Sequence, residues 1–191
     1  MKLAVFISGT GTNMVAIHNA IKDGALDATI ELIVSSNDYA KGIDYARNEG
    51  LDLLVFTPAD YDDPEAVDAR IVEALEEHDI EYVAMAGYMR KVTPVLLDAF
   101  PNRVVNLHPA LLPKHRGAHA IQDAFEAGDE GTGITIHFAN EEYDKGPIIF
   151  QHEVPVLPDD TIDDLETRIH AAEHEYYPQV LQQIARGEVQ V

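Results

Sequence analysis

Short apolar runs alternate with segments of helical periodicity along this chain, and this alternation restricts the possible folds more than any other feature. Five apolar runs are predicted to be strands of parallel type: residues 3–7, 29–35, 52–56, 82–86 and 104–107. Helical segments lie between them, which is the pattern of α/β proteins whose crossover helices cover the sheet. After residue 130, apolar and polar residues alternate, which predicts antiparallel strands at one edge.

Helical spacing predicts helices from Asn13 to a stop at Gly24, over residues 41–48 and over residues 64–77. A capping motif beginning at Thr161 predicts a long C-terminal helix. The predicted fold class is therefore α/β: a Rossmann-like, mostly parallel sheet flanked by helices, with antiparallel edge strands and that long helix. No internal repeat or linker divides the chain, so we expect a single domain over residues 1–191.

An acidic charge balance limits the partners of such a fold. The chain has 34 Asp and Glu against 13 Lys and Arg, a formal net charge of -21 with His neutral. Because binding a polyanion depends on Lys and Arg contacts to phosphate, this charge argues against nucleic acid and anionic membrane. The chain has no Cys, which removes disulfides, thiolate metal ligands and Cys nucleophiles. No leader or membrane segment is recognisable in the sequence, so the expected location is cytoplasmic.

The first predicted strand ends in a glycine loop, Gly9-Thr10-Gly11-Thr12-Asn13-Met14. A glycine loop that opens a helix is where doubly wound folds bind anions, because unpaired helix amides point at the ligand. Met14 stands where the dinucleotide fingerprint has its third glycine, and no acid ends the second strand to hold a ribose. The loop therefore favours a phosphate monoester over NAD. The alternative is that the two glycines only permit a tight turn.

Asn106 and His108 lie two residues apart at the carboxyl end of the fifth predicted strand, so both side chains project to one side. Ligands of open α/β sheets bind at that end. Asn offers an amide donor to a developing oxyanion, and His exchanges a proton near neutral pH. A hydrogen-bonded structural pair remains the alternative for these two residues alone.

Asp144 lies in a turn between the two predicted edge strands, within the run of residues 133–151. Asp before Lys-Gly is ordinary turn chemistry when it is taken alone. Its functional interpretation depends on its combination with the glycine loop and the Asn-x-His-Pro segment.

Five ordered motifs together resemble those of the phosphoribosylglycinamide formyltransferase family, folate-dependent enzymes of purine synthesis. They are residues 7–13, 85–90, 106–113 and 133–151 and the pair Glu173-His174, and the resemblance covers essentially the whole chain. It implies transfer of a formyl group from the co-substrate 10-formyltetrahydrofolate to the amine of glycinamide ribonucleotide, without a metal. It also implies one formyltransferase domain, with a nucleotide-binding half over about residues 1–100 and a folate-binding and catalytic half over about residues 101–191.

The resemblance assigns roles position by position. Gly11, Thr12 and Asn13 would hold the ribonucleotide phosphate, and His170 and Glu173 would contact its ribose and glycinamide portion. The folate-binding residues would be Met89, Arg90, Lys91, Val92, Asn140, Glu141, Glu142 and Tyr143. The catalytic trio would be Asn106, His108 and Asp144, in which the carboxylate favours the imidazolium form of the histidine. The expected partners are small-molecule substrates, and a homodimer is compatible with the sequence.

The chain departs from the family pattern at two places. Pro64 stands where some members carry an Arg near the glutamate tail of the folate. The pair His115-Arg116 resembles the related methionyl-tRNA formyltransferases rather than this family.

Three rival functions differ in what they require. A methionyl-tRNA formyltransferase needs a tRNA-binding domain after the catalytic one, which we do not expect here, and the net charge opposes tRNA. A formyltetrahydrofolate hydrolase normally carries a regulatory domain before the first strand, whereas the first predicted strand begins at residue 3. A non-catalytic nucleotide-binding module would keep the glycine loop but would not need Asn106, His108 and Asp144 together.

A metal site is the fourth alternative. His170-Ala171-Ala172-Glu173-His174 matches the H-x-x-E-H pattern of a zinc peptidase helix. Solvated histidines on an acidic helix give the same pattern, and a third ligand would have to come from elsewhere in the chain.

Overall fold

A computed structural model describes residues 1–189, within which seven strands form one sheet in the order β3-β2-β1-β4-β5-β6-β7. The strands are β1 (Lys2–Ile7), β2 (Thr29–Ser35), β3 (Leu53–Val55), β4 (Tyr82–Met85), β5 (Val104–His108), β6 (Gly131–Phe138) and β7 (Ile148–Pro155). Strands β1 to β5 pair in parallel, whereas β6 and β7 are antiparallel. The predicted fold class, a mostly parallel sheet with antiparallel edge strands, is confirmed.

Helices connect the strands and cover both faces of the sheet. They are α1 (Thr12–Lys22), α2 (Gly42–Asn48), α3 (Pro64–Glu77), α4 (Pro94–Ala99), α5 (Ala120–Glu126) and α6 (Ile162–Ala185), together with a 3₁₀ helix over Pro58–Asp62. The 3₁₀ helix, α4 and α5 were not predicted, because segments of five to seven residues show little periodicity. Helix α2 is equally short but was recognisable with Gly50 as a C-terminal stop signal. Helix α1 begins at Thr12 rather than at Asn13, since Gly11 takes the N-cap position.

The alternation of side chains along β1 builds two separate cores. Leu3, Val5 and Ile7 belong to the core on one face of the sheet, which also contains residues of α1 and α6. Ala4 and Phe6 belong to the core on the opposite face, together with residues of α3 and α4. All five are fully buried. A strand covered on both faces has no need for polar positions, which is why β1 appears in the sequence as a continuous apolar run.

Helix α6 is fixed at its start and near its middle. Thr161 and Asp164 form a reciprocal capping box, as the sequence predicts. Farther along, the hydroxyl of the fully buried Tyr177 lies 3.0 Å from the carbonyl of Met85 and 3.2 Å from that of Val105. These contacts tie α6 to the end of β4 and to the start of β5.

The strand order places a crevice between β1 and β4. The chain leaves β1 on one side, toward β2 and β3, and later returns to the other side to form β4 and β5. The connections after β1 and β4 therefore diverge, and the gap at their carboxyl ends is the usual ligand site of open α/β sheets.

Candidate active site

A cavity of about 300 Å³ occupies this crevice. It is lined by the glycine loop, the loop after β4, the end of β5, the loop between β6 and β7, and α6. All the predicted site residues line it except Glu141, which lines an adjacent cavity of about 450 Å³ that shares Arg90, Lys91 and Val92 with the first. Residues more than 150 positions apart in the sequence thus meet in one space.

His108 and Asp144 form the buried centre of the cavity. The His108 Nδ1 atom lies 3.5 Å from Asp144 Oδ2, and both side chains are at most 5% exposed. His108 Nε2 donates to the carbonyl of His115 at 2.7 Å, and Asp144 Oδ2 accepts the N–H of Gly117 at 2.9 Å. Because Nε2–H is held by a carbonyl, Nδ1 is the nitrogen that can exchange its proton next to the carboxylate.

Asp144 has a backbone conformation that few residues adopt. Its φ angle is 54°, in the left-handed region where Asp and Asn are the favoured non-glycine residues. Its Oδ1 atom is buried and makes no hydrogen bond within residues 1–189. A buried carboxylate oxygen without a donor is electrostatically costly, so it favours a positive charge on a neighbouring group.

Asn106 is held by a histidine that the sequence analysis did not select, His137. The register of β5 and β6 places the two residues opposite one another. His137 Nδ1 donates to the carbonyl of Phe138 at 2.9 Å, and Asn106 Nδ2 lies 3.3 Å from His137 Nε2. Burial lowers the pKa of His137, against smaller opposing contributions from its hydrogen bond to Phe138 and from the Asp144 carboxylate, so we assign the neutral ring with Nε2 as an acceptor. One amide hydrogen of Asn106 is thereby fixed.

The glycine loop leaves the first turn of α1 open. Gly11 is the N-cap, with a φ angle of 73°, and no side chain caps the helix. A Cβ atom on Gly11 would lie 2.9 Å from Met14 Cε and 3.0 Å from Gly42 Cα, so the loop packs closely against the start of α2. Uncapped N–H groups at the start of an eleven-residue helix suit an anion such as phosphate.

Glu173 joins α6 to this loop. Its Oε2 atom accepts hydrogen bonds from Asn13 Nδ2 at 3.1 Å and from His170 Nδ1 at 2.9 Å. Glu173 is only 4% exposed and lines the cavity. The hydrogen bond to Glu173 raises the pKa of His170, which places a cation beside the glycine loop at mildly acidic pH.

The H-x-x-E-H pattern of α6 is used differently from a zinc site. Glu173 is paired with His170 and Asn13, and the rings of His170 and His174 are stacked with centroids 6.5 Å apart. Across residues 1–189, no group of three or more His, Asp or Glu side chains is arranged to hold a metal ion.

Two loops form one side of the cavity, the loop after β4 and the loop between β6 and β7. The loop after β4 is anchored by the N–H of Met89, which donates to Ser8 Oγ at 2.8 Å. In the loop between β6 and β7, Asn140 Oδ1 accepts the N–H of Glu142 at 3.0 Å. Glu142 also pairs with Lys145, which lowers the pKa of the Glu142 carboxyl.

Besides His137, the structure adds two backbone groups to the site, the carbonyl of His115 and the N–H of Gly117. His137 could have been found from the period of β6, because every second residue of a strand faces the same way. The backbone groups carried no signal in the sequence, since any residue offers a carbonyl and almost any offers an N–H.

In the part of the chain that is described, no helix combines the length and the apolar character needed to cross a membrane.

Several known proteins that are similar to this chain are described as formyltransferases or transformylases. A family model described as formyl transferase matches residues 1–181. The chain is 39% identical over 183 residues to phosphoribosylglycinamide formyltransferase of Bacillus subtilis, covering 96% of this chain and 94% of that protein. It is 35% identical to the Escherichia coli enzyme of the same name, covering 100% and 90%. The crystal structure of glycinamide ribonucleotide transformylase 1 from Symbiobacterium toebii superimposes with a TM-score of 0.96 at 40% identity, covering 100% of this chain and 90% of that one.

Proposed function

Because this chain belongs to the formyl transferase family, we propose that it transfers a formyl group from 10-formyltetrahydrofolate to the amine of 5-phosphoribosylglycinamide, a step of purine biosynthesis. The observation that carries this proposal is the convergence of Asn106, His108 and Asp144 in a cavity that also contains an open helix N-terminus. We further propose that residues 1–191 act as one cytoplasmic formyltransferase domain, with no metal in the reaction.

The acceptor is assigned to the side of the cavity that the glycine loop and α6 form. The amides at Gly11, Thr12 and Asn13 would hold the phosphate, because helix N-terminal N–H groups favour an anion even in an acidic protein. Glu173 and His170 would contact the ribose and the glycinamide. Within residues 1–189, both hydrogen bonds of the Glu173 carboxylate go to Oε2, so the other oxygen can accept from the substrate.

The donor is assigned to the opposite side of the cavity. Met89, Arg90, Lys91 and Val92 would form one wall of the folate pocket, and residues 140–143 the other wall. The net charge of -21 repels an anionic donor, so local cations have to compensate. Arg90 and Lys91 lie at this side and meet that requirement.

The first chemical step is attack of the acceptor amine on the formyl carbon, which places a negative charge on the formyl oxygen. Asn106 has one amide hydrogen committed to His137 and a second one free to donate to that oxyanion. A preorganised donor of this kind typically contributes about 10²–10³-fold in rate. His137 therefore acts as a positioning residue for Asn106.

The second step breaks the bond between the formyl carbon and N10 of the folate, and a proton must reach N10. The protonated Nδ1 of His108 is the donor, directly or through a water molecule, and it is reprotonated by the proton that the attacking amine loses. The Asp144 carboxylate 3.5 Å away stabilises the imidazolium before the transfer. Formyl group and proton are thus both accounted for: the acceptor gains the formyl group, and tetrahydrofolate leaves neutral at N10.

A direct assay tests the assignment. The protein is mixed with 10-formyltetrahydrofolate and 5-phosphoribosylglycinamide, tetrahydrofolate release is followed by absorbance, and the formylated ribonucleotide is identified by mass spectrometry. We expect release that depends on the ribonucleotide. Release without the ribonucleotide, accompanied by free formate, would indicate a hydrolase, and absence of release would contradict the proposed function.

A further inference from the structure

Arg90 is held by an aromatic ring rather than by an acid. Its guanidinium carbon lies 4.3 Å from the ring centroid of Tyr61. Within the described chain, its side chain makes no ion pair and no hydrogen bond, although the sequence has 34 acidic residues against 13 basic ones. Arg168 shows the opposite arrangement, because both of its terminal nitrogens bind the carboxylate of Asp160 at 2.7 and 2.8 Å. Arg90 therefore keeps its N–H donors available.

Tyr61 is itself rigidly supported. Its hydroxyl lies 2.6 Å from the hydroxyl of Tyr88, which is buried with its ring 5.1 Å from that of Phe6 in the core. Tyr61 lies in the 3₁₀ helix, whose start is closed by a capping box between Thr57 and Asp60. The ring is thus fixed both through its hydroxyl and through its backbone.

The position of the pair suggests what Arg90 binds. Arg90 lines both the catalytic cavity and the adjacent cavity of about 450 Å³, whereas Tyr61 lines only the second. A guanidinium group stacks on an aromatic ring through its face and binds a carboxylate through its edge, so the two contacts are compatible. The stack therefore aims the donors of Arg90 at a ligand that extends from the first cavity toward the second.

We propose that Tyr61 is a positioning residue for Arg90, holding the guanidinium group by its face so that its edge binds a carboxylate of the glutamate tail of the folate donor. This inference rests on the proposed function, because it takes its ligand from the donor. It assigns a role to a residue of the 3₁₀ helix that the sequence analysis did not select. Pro64, exposed at the same cavity, has no side-chain donor, so Arg90 and Lys91 are the cations that line both cavities within the described residues.

The contribution of the Tyr61 ring can be measured by comparing the binding affinities of two ligands. Tetrahydrofolate carries the glutamate tail, and tetrahydropteroate lacks it. Binding of each to the whole protein is measured by isothermal titration calorimetry. A cation–π contact at a half-exposed site corresponds to about a three- to tenfold change in affinity. Tyr61→Leu should weaken tetrahydrofolate binding by that factor and leave tetrahydropteroate binding within twofold.

Matched variants distinguish a positioning role of Tyr61 from a general loss of structure. Tyr61→Phe keeps the ring and should restore most of the tetrahydrofolate affinity. Tyr61→Leu should have no further effect once Arg90→Gln has removed the guanidinium group. Tyr39→Leu is the control for the same substitution, because Tyr39 is 86% exposed and lies outside both cavities. In the formyl transfer assay, the KM for the donor should rise in Tyr61→Leu while kcat stays within about twofold.

Two outcomes would overturn this inference. One is an equal loss of affinity for both ligands in Tyr61→Leu, and the other is an undiminished effect of Tyr61→Leu in the Arg90→Gln background. Failure of the proposed function looks different: the wild-type protein would bind tetrahydrofolate more tightly than tetrahydropteroate, with the expected dependence on Tyr61, and yet transfer no formyl group.

Discussion

Replacing Asp144 with Asn removes a negative charge from the catalytic cluster and changes little else. Asn has nearly the same shape, and it is the other non-glycine residue that readily adopts the φ angle of 54° found here. Its side-chain oxygen can still accept the N–H of Gly117, which donates to Asp144 at 2.9 Å. We therefore expect the variant to fold, and we expect the positive charge on His108 to lose its electrostatic stabilisation.

The size of the effect follows from the distance. Two unit charges 3.5 Å apart interact by about 5 kcal/mol at an effective dielectric constant of about 20. This energy is the upper limit on how far the carboxylate stabilises the imidazolium. In the variant, water replaces part of that stabilisation, so the observed loss should be smaller. Since 1.36 kcal/mol corresponds to a factor of ten in rate, we expect kcat to fall about 10²- to 10³-fold. Both KM values should stay within a few fold, because Asp144 acts on the proton transfer.

The assay is steady-state formyl transfer across a range of pH, with thermal unfolding measured in parallel. Glu153→Gln makes the same change in net charge at an exposed position on β7, outside the cavity, and should behave like wild type. If Asp144→Asn kept kcat within about threefold of wild type, with the same pH dependence, the assignment of Asp144 as the partner of His108 would be wrong.

Three further predictions follow from individual contacts. His137→Phe keeps an aromatic ring but loses the acceptor for Asn106, and kcat should fall about tenfold with both KM values unchanged in steady-state kinetics. Because the pKa of His170 is raised above its usual 6.5, its cation is present below that pH and is lost as pH rises through the raised value. The ribonucleotide KM should therefore rise more over that window in wild type than in His170→Gln, in which only the substrate phosphate titrates. Gly11→Ala forces a φ angle of 73° on a residue with a Cβ atom and should lower the free energy of unfolding, measured by thermal denaturation, by about 1–2 kcal/mol. Gly9→Ala is the control and should leave the free energy of unfolding unchanged, because its Cβ would meet nothing within 4 Å.

The central parallel strands could be predicted from the sequence because they are buried on both faces. The continuous apolar run of β1 and the period of α3 follow directly from burial, and the structure has both at almost the predicted bounds. The short elements lacked such a signal. The 3₁₀ helix that carries Tyr61 is defined by one capping box and a proline at its start, and it contributes no fully buried side chain of its own.

The site residues with distinctive chemistry were also recognisable in the sequence. Asn106 and His108 stand out through their spacing of two at a strand end, and Gly11 through its place between a strand and a helix. Their pairing with Asp144, and the structural roles of His137 and Tyr61, depend on contacts between segments far apart in the chain. No local pattern records such contacts.

The sequence by itself determined the class of fold, the acidic character of the molecule and the identity of the groups that can move a proton or hold an anion. These are properties of local periodicity, of composition and of single side chains. The tertiary structure alone decided which nitrogen of His108 faces Asp144, which hydrogen of Asn106 is free, and how Arg90 remains without an acidic partner within the described residues. The physical reason is that hydrogen-bond direction and charge interaction depend on distances of a few ångströms, which are set only when the strands and loops pack together.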